Sequence, residues 1–212
     1  MNLSAIKQIA QAEMGDKRSH PFKERGNKYT HGERVAKLAL RLRQIIAPEE
    51  NDYDDILTVA AWFHDICNGS DNHAAKGAER TLALLKEHCA EDDLEQICGI
   101  IAVHDDRNPG NNTYADIIKI HQDADHLDHF GTFDIWMVVA YTIGHDETIN
   151  EAVRYLTKEW PNDNARWRSE LHFDLSIKIF DEKTEFVKSY TERFAVESAG
   201  GIYNEETLTK GK

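Results

Sequence analysis

The sequence predicts an all-α protein that folds as a single domain of about eight helices. Apolar residues recur at the three- and four-residue spacing of helices along most of the 212 residues. The sequence contains no convincing pair of strands and no internal repeat. Only 4 prolines and 12 glycines occur, so little of the chain has the composition of a linker.

The domain organisation follows from this spacing and from helix-breaking residues. Residues 1–20 should form an N-terminal helix that packs on the core, residues 21–196 the main domain with a C-terminal helical extension, and residues 197–212 a flexible tail. Pro48 ends the second helix, and the polar segment 104–114 (HDDRNPGNNTY) is the clearest loop. In this half of the chain, helices are predicted over 30–46, about 54–64, 73–89, 92–103 and 115–129.

The second half is predicted from one strongly apolar segment and two amphipathic ones. Residues 132–143 (TFDIWMVVAYTI) have a strand-like composition, but their position between helices favours a buried helix. Residues 146–158 have helical spacing, with Asp146 expected to cap the helix and Pro161 to end it. A long amphipathic helix is then expected near 167–196.

Charge and cysteine content exclude several classes of protein. The 25 Lys and Arg against 38 Asp and Glu give a net charge of −13, so a nucleic-acid polymer is not an expected partner. Three cysteines without a C-x-x-C pair predict neither a disulfide framework nor a thiolate zinc site, and they fit a cytoplasmic location. With no apolar signal core and no run of about 18 apolar residues, no membrane association is expected. A homo-oligomer is compatible with the sequence.

Three His-Asp dipeptides occur among the 11 histidines, and their contexts differ. His64-Asp65 ends an apolar helix, where a buried carboxylate would be costly unless it were bound to a cation. His104-Asp105 lies where a helix meets the polar loop, which places it on the rim of a site. The third pair opens a helix and is expected to cap it. Helical periodicity alone does not show which other donors would join the first pair.

Three segments carry a resemblance to a known family. They are YTHGERVAKLALRL (29–42), AAWFHDI (60–66) and IHQDADHLDHFG (120–131). In this order they resemble the H…HD…D signature of the HD superfamily, and the last is similar to that of small bacterial HD hydrolases related to nucleotide pyrophosphohydrolases. The resemblance covers roughly residues 20–196 and implies a helical HD domain with a bound divalent metal ion. The ligands that it implies are His31, His64, Asp65 and Asp125.

Two alternatives to this metal site remain open. His121, Asp125 and His129 are four residues apart on one helical face and could bind an ion locally, or the two histidines could hydrogen-bond to the ligands. In addition, His73 and His104 resemble histidines of HD families that hold two ions. One ion is favoured over two, and these two histidines are then expected to contact the substrate.

The resemblance implies hydrolysis of a phosphate ester or anhydride in a small phosphorylated molecule such as a nucleotide. His and carboxylate donors suit Mn, Fe, Co, Ni, Zn or Mg. Asp65 and Asp105 are the candidate catalytic carboxylates, with Asp106 an alternative for proton transfer. Arg34 is a candidate for charge stabilisation, and candidate phosphate contacts are Arg25 and Lys119.

Two other functions are kept as hypotheses. A di-iron HD-type oxygenase would require both His73 and His104 to bind metal. A non-catalytic, ligand-sensing HD module would use the same pocket without turnover.

Overall fold

The structure, a computed structural model, describes residues 1–108 and 113–210, and within those ranges every regular element is helical. The first six helices are α1 (Leu3–Met14), α2 (Asn27–Ile46), α3 (Asp54–Phe63), α4 (His73–Leu85), α5 (Glu91–Ala102) and α6 (Asp116–Asp128). The remaining helices are α7 (Thr132–Gly144), α8 (Ile149–Arg154), α9 (Trp160–Ser169), α10 (Asp174–Ser198) and α11 (Glu205–Thr209). A 3-10 turn (Asn51–Tyr53) precedes α3, and a π-helical turn (Tyr155–Glu159) joins α8 to α9.

One hydrophobic core contains residues from each of the helices α1 to α6 and from the start of α10. α3 lies at its centre and contacts α1, α2, α5 and α6. Leu57 and Phe63 on α3 are fully buried, as are Val35 on α2 and Leu127 on α6. Because α2, α3 and α6 share this core, the segments that carry the predicted metal donors are held against one another.

Gly32 allows α2 to approach α3 closely. A Cβ atom at this position would lie 2.7 Å from the Ala61 carbonyl oxygen, which is closer than real Cβ atoms come to backbone. Gly32 directly follows His31, and Ala61 lies one turn before His64. The absence of a side chain at Gly32 therefore allows the predicted donors His31 and His64 to lie close together.

Asp123 on α6 fixes the start of α10. Its carboxylate accepts hydrogen bonds from the backbone N–H of His172 at 2.9 Å and of Phe173 at 3.2 Å. Both N–H groups belong to the two residues that directly precede α10. Burial raises the pKa of Asp123 to about 6, and the two backbone N–H groups act in the opposite direction.

The prediction that residues 132–143 form a helix is confirmed, but the prediction that this helix is buried is wrong. Thr142 is the only buried residue of α7. Trp136 is 54% exposed and Ile143 is 71% exposed. α7 lies at the periphery, where it contacts α8 and α10 rather than the main core.

The helices of the C-terminal half begin and end at other residues than the spacing predicts. Thr148, not Asp146, caps α8, because Thr148 and Glu151 form a reciprocal capping box. Pro161 lies in the first turn of α9 instead of ending a helix, since a proline there loses no hydrogen bond. These short helices raise the number in the described ranges above the predicted eight or so.

None of the described helices is long and apolar enough to cross a membrane. Four residues of the predicted loop, 109–112, and the last two of the predicted tail, 211–212, lie outside the described residues.

Candidate metal centre

The four donors implied by the sequence resemblance lie together in the structure. The second turn of α2, the end of α3 and the last turn of α6 bring them to one point in the interior. His31 Nε2 lies 3.0 Å from Asp125 Oδ1 and 3.2 Å from His64 Nε2, and His64 Nε2 lies 3.4 Å from Asp125 Oδ1. Asp65 Oδ1 lies 4.0 Å from His64 Nε2.

These separations match the geometry of ligands around one ion. Donor atoms about 2.1 Å from a metal are separated by about 3.0 to 3.4 Å along the edges of an octahedron or tetrahedron, and by about 4.2 Å across it. The two contacts of His64 with His31 and Asp125 fall in the first range, and its distance to Asp65 is close to the second. The donor set therefore fits a divalent ion in both chemistry and spacing.

The protonation of the two histidines also favours an ion. His64 Nδ1 lies 2.8 Å from the Ala61 carbonyl oxygen, which can only accept, so Nδ1 must carry the proton. His31 Nδ1 donates in the same way to Asp128 Oδ2 at 2.8 Å. Both Nε2 atoms then turn lone pairs toward one another at 3.2 Å, an arrangement that repels unless a proton or a cation lies between them.

The charges around the cluster show which cation takes that place when no metal is bound. Burial alone lowers the pKa of His31, but hydrogen bonds to Asp125 and Asp128 outweigh it and raise that pKa to about 9. For Asp125, burial raises the pKa, but the Arg107 guanidinium and the hydrogen bond from His31 hold that pKa well below its usual range. In the metal-free cluster at neutral pH, Asp125 is therefore ionised and His31 is protonated.

Asp128 and Arg34 support the cluster from the side of α2. Asp128 accepts the Nδ1–H of His31 and is bound by Arg34 through both Nε (2.9 Å) and a terminal nitrogen (2.8 Å). The Arg34 guanidinium lies 3.9 Å from the centre of the Phe133 ring, which holds it in place. Arg34, predicted to stabilise charge on the substrate, therefore also acts on His31 through Asp128.

A second group of donors adjoins the first and shares Asp65 with it. His73 Nε2 lies 3.2 Å from His104 Nε2, and His104 Nε2 lies 3.9 Å from Asp65 Oδ1. His104 Nδ1 donates to the Ile101 carbonyl oxygen at 2.7 Å, so its Nε2 also carries a lone pair. Asp105 Oδ2 is 3.8 Å from His73 Nδ1. The structure thus brings His73 and His104 to one point beside the four-donor cluster.

Arg107 is a residue of the centre that the sequence reasoning missed. It follows the turn that contains His104, and its guanidinium donates a hydrogen bond to Asp125 Oδ2. Its only sequence signal is its place three residues after His104, in a strongly acidic chain. Because it neutralises one carboxylate oxygen, it lowers the net charge of the donor set.

His121 does not join Asp125 and His129 in a local metal site on one face of α6. Its ring lies 5.4 Å from that of His64, and neither ring nitrogen has a hydrogen-bond partner among the described residues. Complete burial places the pKa of His121 well below the usual value, so His121 is neutral. His129 Nε2 is 3.6 Å from Asp125 Oδ1 and groups with His31 instead.

The other candidates lie farther from the donors or are engaged elsewhere. Arg25 is exposed on the segment between α1 and α2. Lys119 binds Asp116 on its own helix at 3.0 Å. Asp106 accepts a hydrogen bond from the Tyr114 hydroxyl at 2.6 Å.

A small pocket of about 130 Å³ opens over the cluster. His31 and Asp65 form part of its wall, together with Lys23, Arg34 and His129. Lys23 is a second residue that the sequence reasoning missed. The pocket places two cationic side chains beside the metal donors, as a phosphate group requires.

Comparison with known proteins gives matches in structure only. No protein-family model and no curated protein matches the chain. An HD-superfamily hydrolase from Bacillus thuringiensis is 17% identical with a TM-score of 0.64, covering 93% of this chain and 96% of its own. A predicted HD superfamily hydrolase from an uncultured Thermotogales bacterium is 21% identical with a TM-score of 0.62, covering 92% of both chains.

Bacillus subtilis YpgQ, solved in complex with ADP, is a third similar structure. It is 18% identical with a TM-score of 0.60, and the match covers 90% of this chain and 91% of YpgQ. All three matches extend over nearly the whole length of each chain. The chain therefore has the fold of the HD-superfamily hydrolases.

Proposed function

We propose that the protein is a metal-dependent phosphohydrolase that acts on a small phosphorylated molecule, most simply a nucleotide. The observation that carries this proposal is the spacing of the donors. The atoms of His31, His64 and Asp125 lie at the edge distances of a coordination polyhedron, and Asp65 lies 4.0 Å from His64, close to the distance across it. The fold shared with HD-superfamily hydrolases supports it. The nucleotide assignment is supported by the ADP complex of the similar protein YpgQ.

His31, His64, Asp65 and Asp125 would hold the ion, with Mn, Fe, Co, Ni, Zn or Mg as candidates. When bound, a divalent ion lowers the pKa of a coordinated water and neutralises charge on a phosphoryl oxygen.

Other residues of the site would bind the phosphate and move the proton. Lys23 and Arg34 flank the small pocket and would bind the non-reacting phosphate oxygens. Arg25 and Lys119 would serve a substrate that extends beyond that pocket. Asp105 lies on the exposed side of the donors, where it can exchange protons with solvent, and we assign it the role of general acid or base.

His73 and His104 have two possible roles within this proposal. They either contact the substrate or, with Asp65, hold a second ion beside the first. The second role is supported by their Nε2–Nε2 distance of 3.2 Å, which equals that between the two histidines of the first cluster.

The test is a metal-reconstitution assay. The protein is stripped with chelator, reloaded with Mn, Co, Ni, Zn or Mg, and offered nucleoside mono-, di- and triphosphates. We expect metal-dependent release of phosphate or pyrophosphate, and a loss of at least 100-fold in Asp65→Asn. Asp52→Asn, an exposed carboxylate in the 3-10 turn, is the matched control and should keep full activity. No release with any metal, or equal activity in Asp65→Asn, would reject the proposal.

A di-iron oxygenase is the second candidate, favoured by the convergence of His73, His104 and Asp65. It requires two irons per chain and a visible absorption band that changes on exposure to oxygen. Iron analysis and spectra of protein purified without chelator separate the two functions. Fewer than two irons per chain, together with hydrolysis in the metal-reconstitution assay, would reject the oxygenase and support the phosphohydrolase.

A further inference from the structure

The small pocket over the metal donors cannot enclose a whole nucleotide. Its volume is about 130 Å³, whereas pockets that enclose small organic ligands commonly measure roughly 300 to 1,000 Å³. A phosphate group beside His31 and Asp65 would take up much of this space. The organic part of a phosphorylated substrate must therefore lie at the mouth of the pocket, against side chains that are exposed there.

One face of α7 forms a side of this mouth. Phe133, Trp136 and Met137 all line the small pocket, and their spacing of three and four residues makes them neighbours on the helix. Phe133 contacts Arg34, whose guanidinium lies 3.9 Å from the centre of its ring. Trp136 follows one turn later, at a Cβ–Cβ distance of about 5–6 Å from Phe133. This face of α7 therefore leads from a proposed phosphate-binding side chain to an indole ring.

Trp136 has a large surface that a ligand can reach. It is 54% exposed, although tryptophan is highly buried on average in folded proteins. Two other rings of the pocket wall are engaged by their neighbours. Phe133 packs against Arg34, and the ring of His129 lies 4.9 Å from that of His31, within the donor cluster.

A hydrogen bond to Glu24 holds the indole of Trp136 in place. Burial raises the pKa of Glu24, but hydrogen bonds from its own backbone, from Asn27 and from Trp136 lower this pKa overall. The donor that Trp136 offers is its ring N–H, so this edge of the indole is fixed at the mouth, which Glu24 and Asn27 also line. A ring that is already oriented loses little side-chain freedom when a ligand packs on it.

We propose that Trp136 stacks on the base of the nucleotide substrate while Lys23 and Arg34 bind its phosphates. This inference rests on the proposed phosphohydrolase function. Every base has a π-face, so stacking on an aromatic side chain accepts all bases. Purines, with two fused rings, offer more contact area than pyrimidines. The mouth of the pocket therefore selects nucleotides over phosphates without an aromatic group and distinguishes little between adenine and guanine.

The first experiment compares substrates on the metal-loaded full-length protein. The substrates are ATP, GTP, CTP and tripolyphosphate, which has no base. We expect kcat/KM for ATP and for GTP to be similar and to exceed that for tripolyphosphate by about 5- to 150-fold, which is the worth of stacking one base. CTP should lie between them. Equal values for all four substrates would overturn the inference.

The second experiment changes the ring. In Trp136→Ala, the ratio of kcat/KM for ATP to that for tripolyphosphate should fall about 5- to 150-fold. Trp136→Phe keeps an aromatic face and should retain most of the ratio. The matched control is Tyr141→Ala, because Tyr141 is an aromatic residue of the same helix that is 46% exposed and does not line the small pocket. This control should keep the wild-type ratio.

Two results of the second experiment would reject the inference even though the protein is a hydrolase. One is a wild-type ratio in Trp136→Ala, and the other is an equal loss in Tyr141→Ala. Size-exclusion chromatography is run on the same variants. A changed oligomeric state in Trp136→Ala, together with a wild-type ratio, would assign the indole to a contact between two copies of the chain.

A binding measurement separates this inference from the proposed function. If the wild type hydrolyses none of the four substrates, ADP binding is measured by calorimetry and by tryptophan fluorescence. A base stacked on Trp136 should quench the fluorescence in the wild type, and this quenching should disappear in Trp136→Phe. That loss, with binding at least about 5-fold weaker in Trp136→Ala, keeps the stacking site while the hydrolase function fails. Equal binding in the wild type and Trp136→Ala, or none in either, rejects the stacking site as well.

Discussion

Asp128 is the residue through which α6 positions His31, one of the four proposed ligands. Asp128 is not itself one of these four residues, but it fixes which nitrogen of His31 carries the proton and is itself held by Arg34. Partners of this kind often change metal affinity by about 10- to 100-fold when they are removed.

We therefore expect Asp128→Asn to weaken Mn or Co binding by about 10- to 100-fold. The amide keeps the size of the side chain but loses the charge that binds Arg34 and the His31 proton. Calorimetric titration of the chelator-treated protein measures the change. Asp116→Asn, which is 63% exposed at the start of the same helix, should bind as the wild type does. Equal affinity in the two variants would show that Asp128 does not position His31.

The pKa of His31 predicts how metal affinity depends on pH. Because this pKa is raised to about 9 in the metal-free cluster, an ion must displace the proton on His31 Nε2 at pH 7. The apparent affinity should therefore rise about tenfold per pH unit from pH 7 to about 8.5 and level off above about pH 9. Titrations across this range in two buffers with different ionisation enthalpies also count the released proton. Affinity that is constant with pH, without proton release, would contradict the assignment.

At the scale of elements, the contact of α2 with α3 sets the distance between the first two donors. Gly32 permits this contact, since a Cβ atom there would lie 2.7 Å from a carbonyl oxygen of α3. Gly32→Ala should separate the helices, lower the free energy of unfolding by about 1–3 kcal/mol and weaken metal binding.

Gly99→Ala on α5 is the matched control for this prediction. A Cβ atom there has no neighbour within 4 Å, so alanine should stabilise the helix by up to about 1 kcal/mol. Urea unfolding of the metal-free variants gives both free energies, and metal titration gives the affinities. If Gly32→Ala is as stable as Gly99→Ala, the close approach of α2 and α3 does not limit the fold.

At the scale of the whole molecule, the metal ion should act as part of the folded structure. The donors come from three helices that are distant in sequence, and the unfolded chain does not hold them together. An ion at 100 times its Kd adds about 2.7 kcal/mol to the free energy of unfolding. For a chain of this length, that corresponds to a rise in Tm of about 5–10 °C. Asp125→Asn should remove the rise, and a wild-type Tm that is equal with and without chelator would contradict this view.

The sequence predicted those features of the molecule that leave a pattern along the chain. Helix bounds in the first half followed from apolar spacing, and the convergence of His31, His64, Asp65 and Asp125 was implied by the resemblance to the HD superfamily. Arg34 and Asp128 are 94 residues apart, so their pairing has no local signal. The exposure of α7 was not predictable either, because its composition is that of a buried helix and only its place at the periphery exposes it.

The hydrogen bonds that tie His64 and His104 to carbonyl oxygens three residues earlier affect which ions the centre accepts. Each imidazole is fixed by its own backbone, so its orientation is settled when the helix end forms, before any ion arrives. A cage built in this way loses little side-chain freedom on binding, but it cannot widen easily. Calcium prefers 6 to 8 oxygen ligands at about 2.3–2.6 Å, whereas two of the four proposed donors are imidazole nitrogens. We therefore expect the proposed centre to bind calcium more weakly than Mn, Co or Zn, because of the radius and donor preference of calcium rather than its charge.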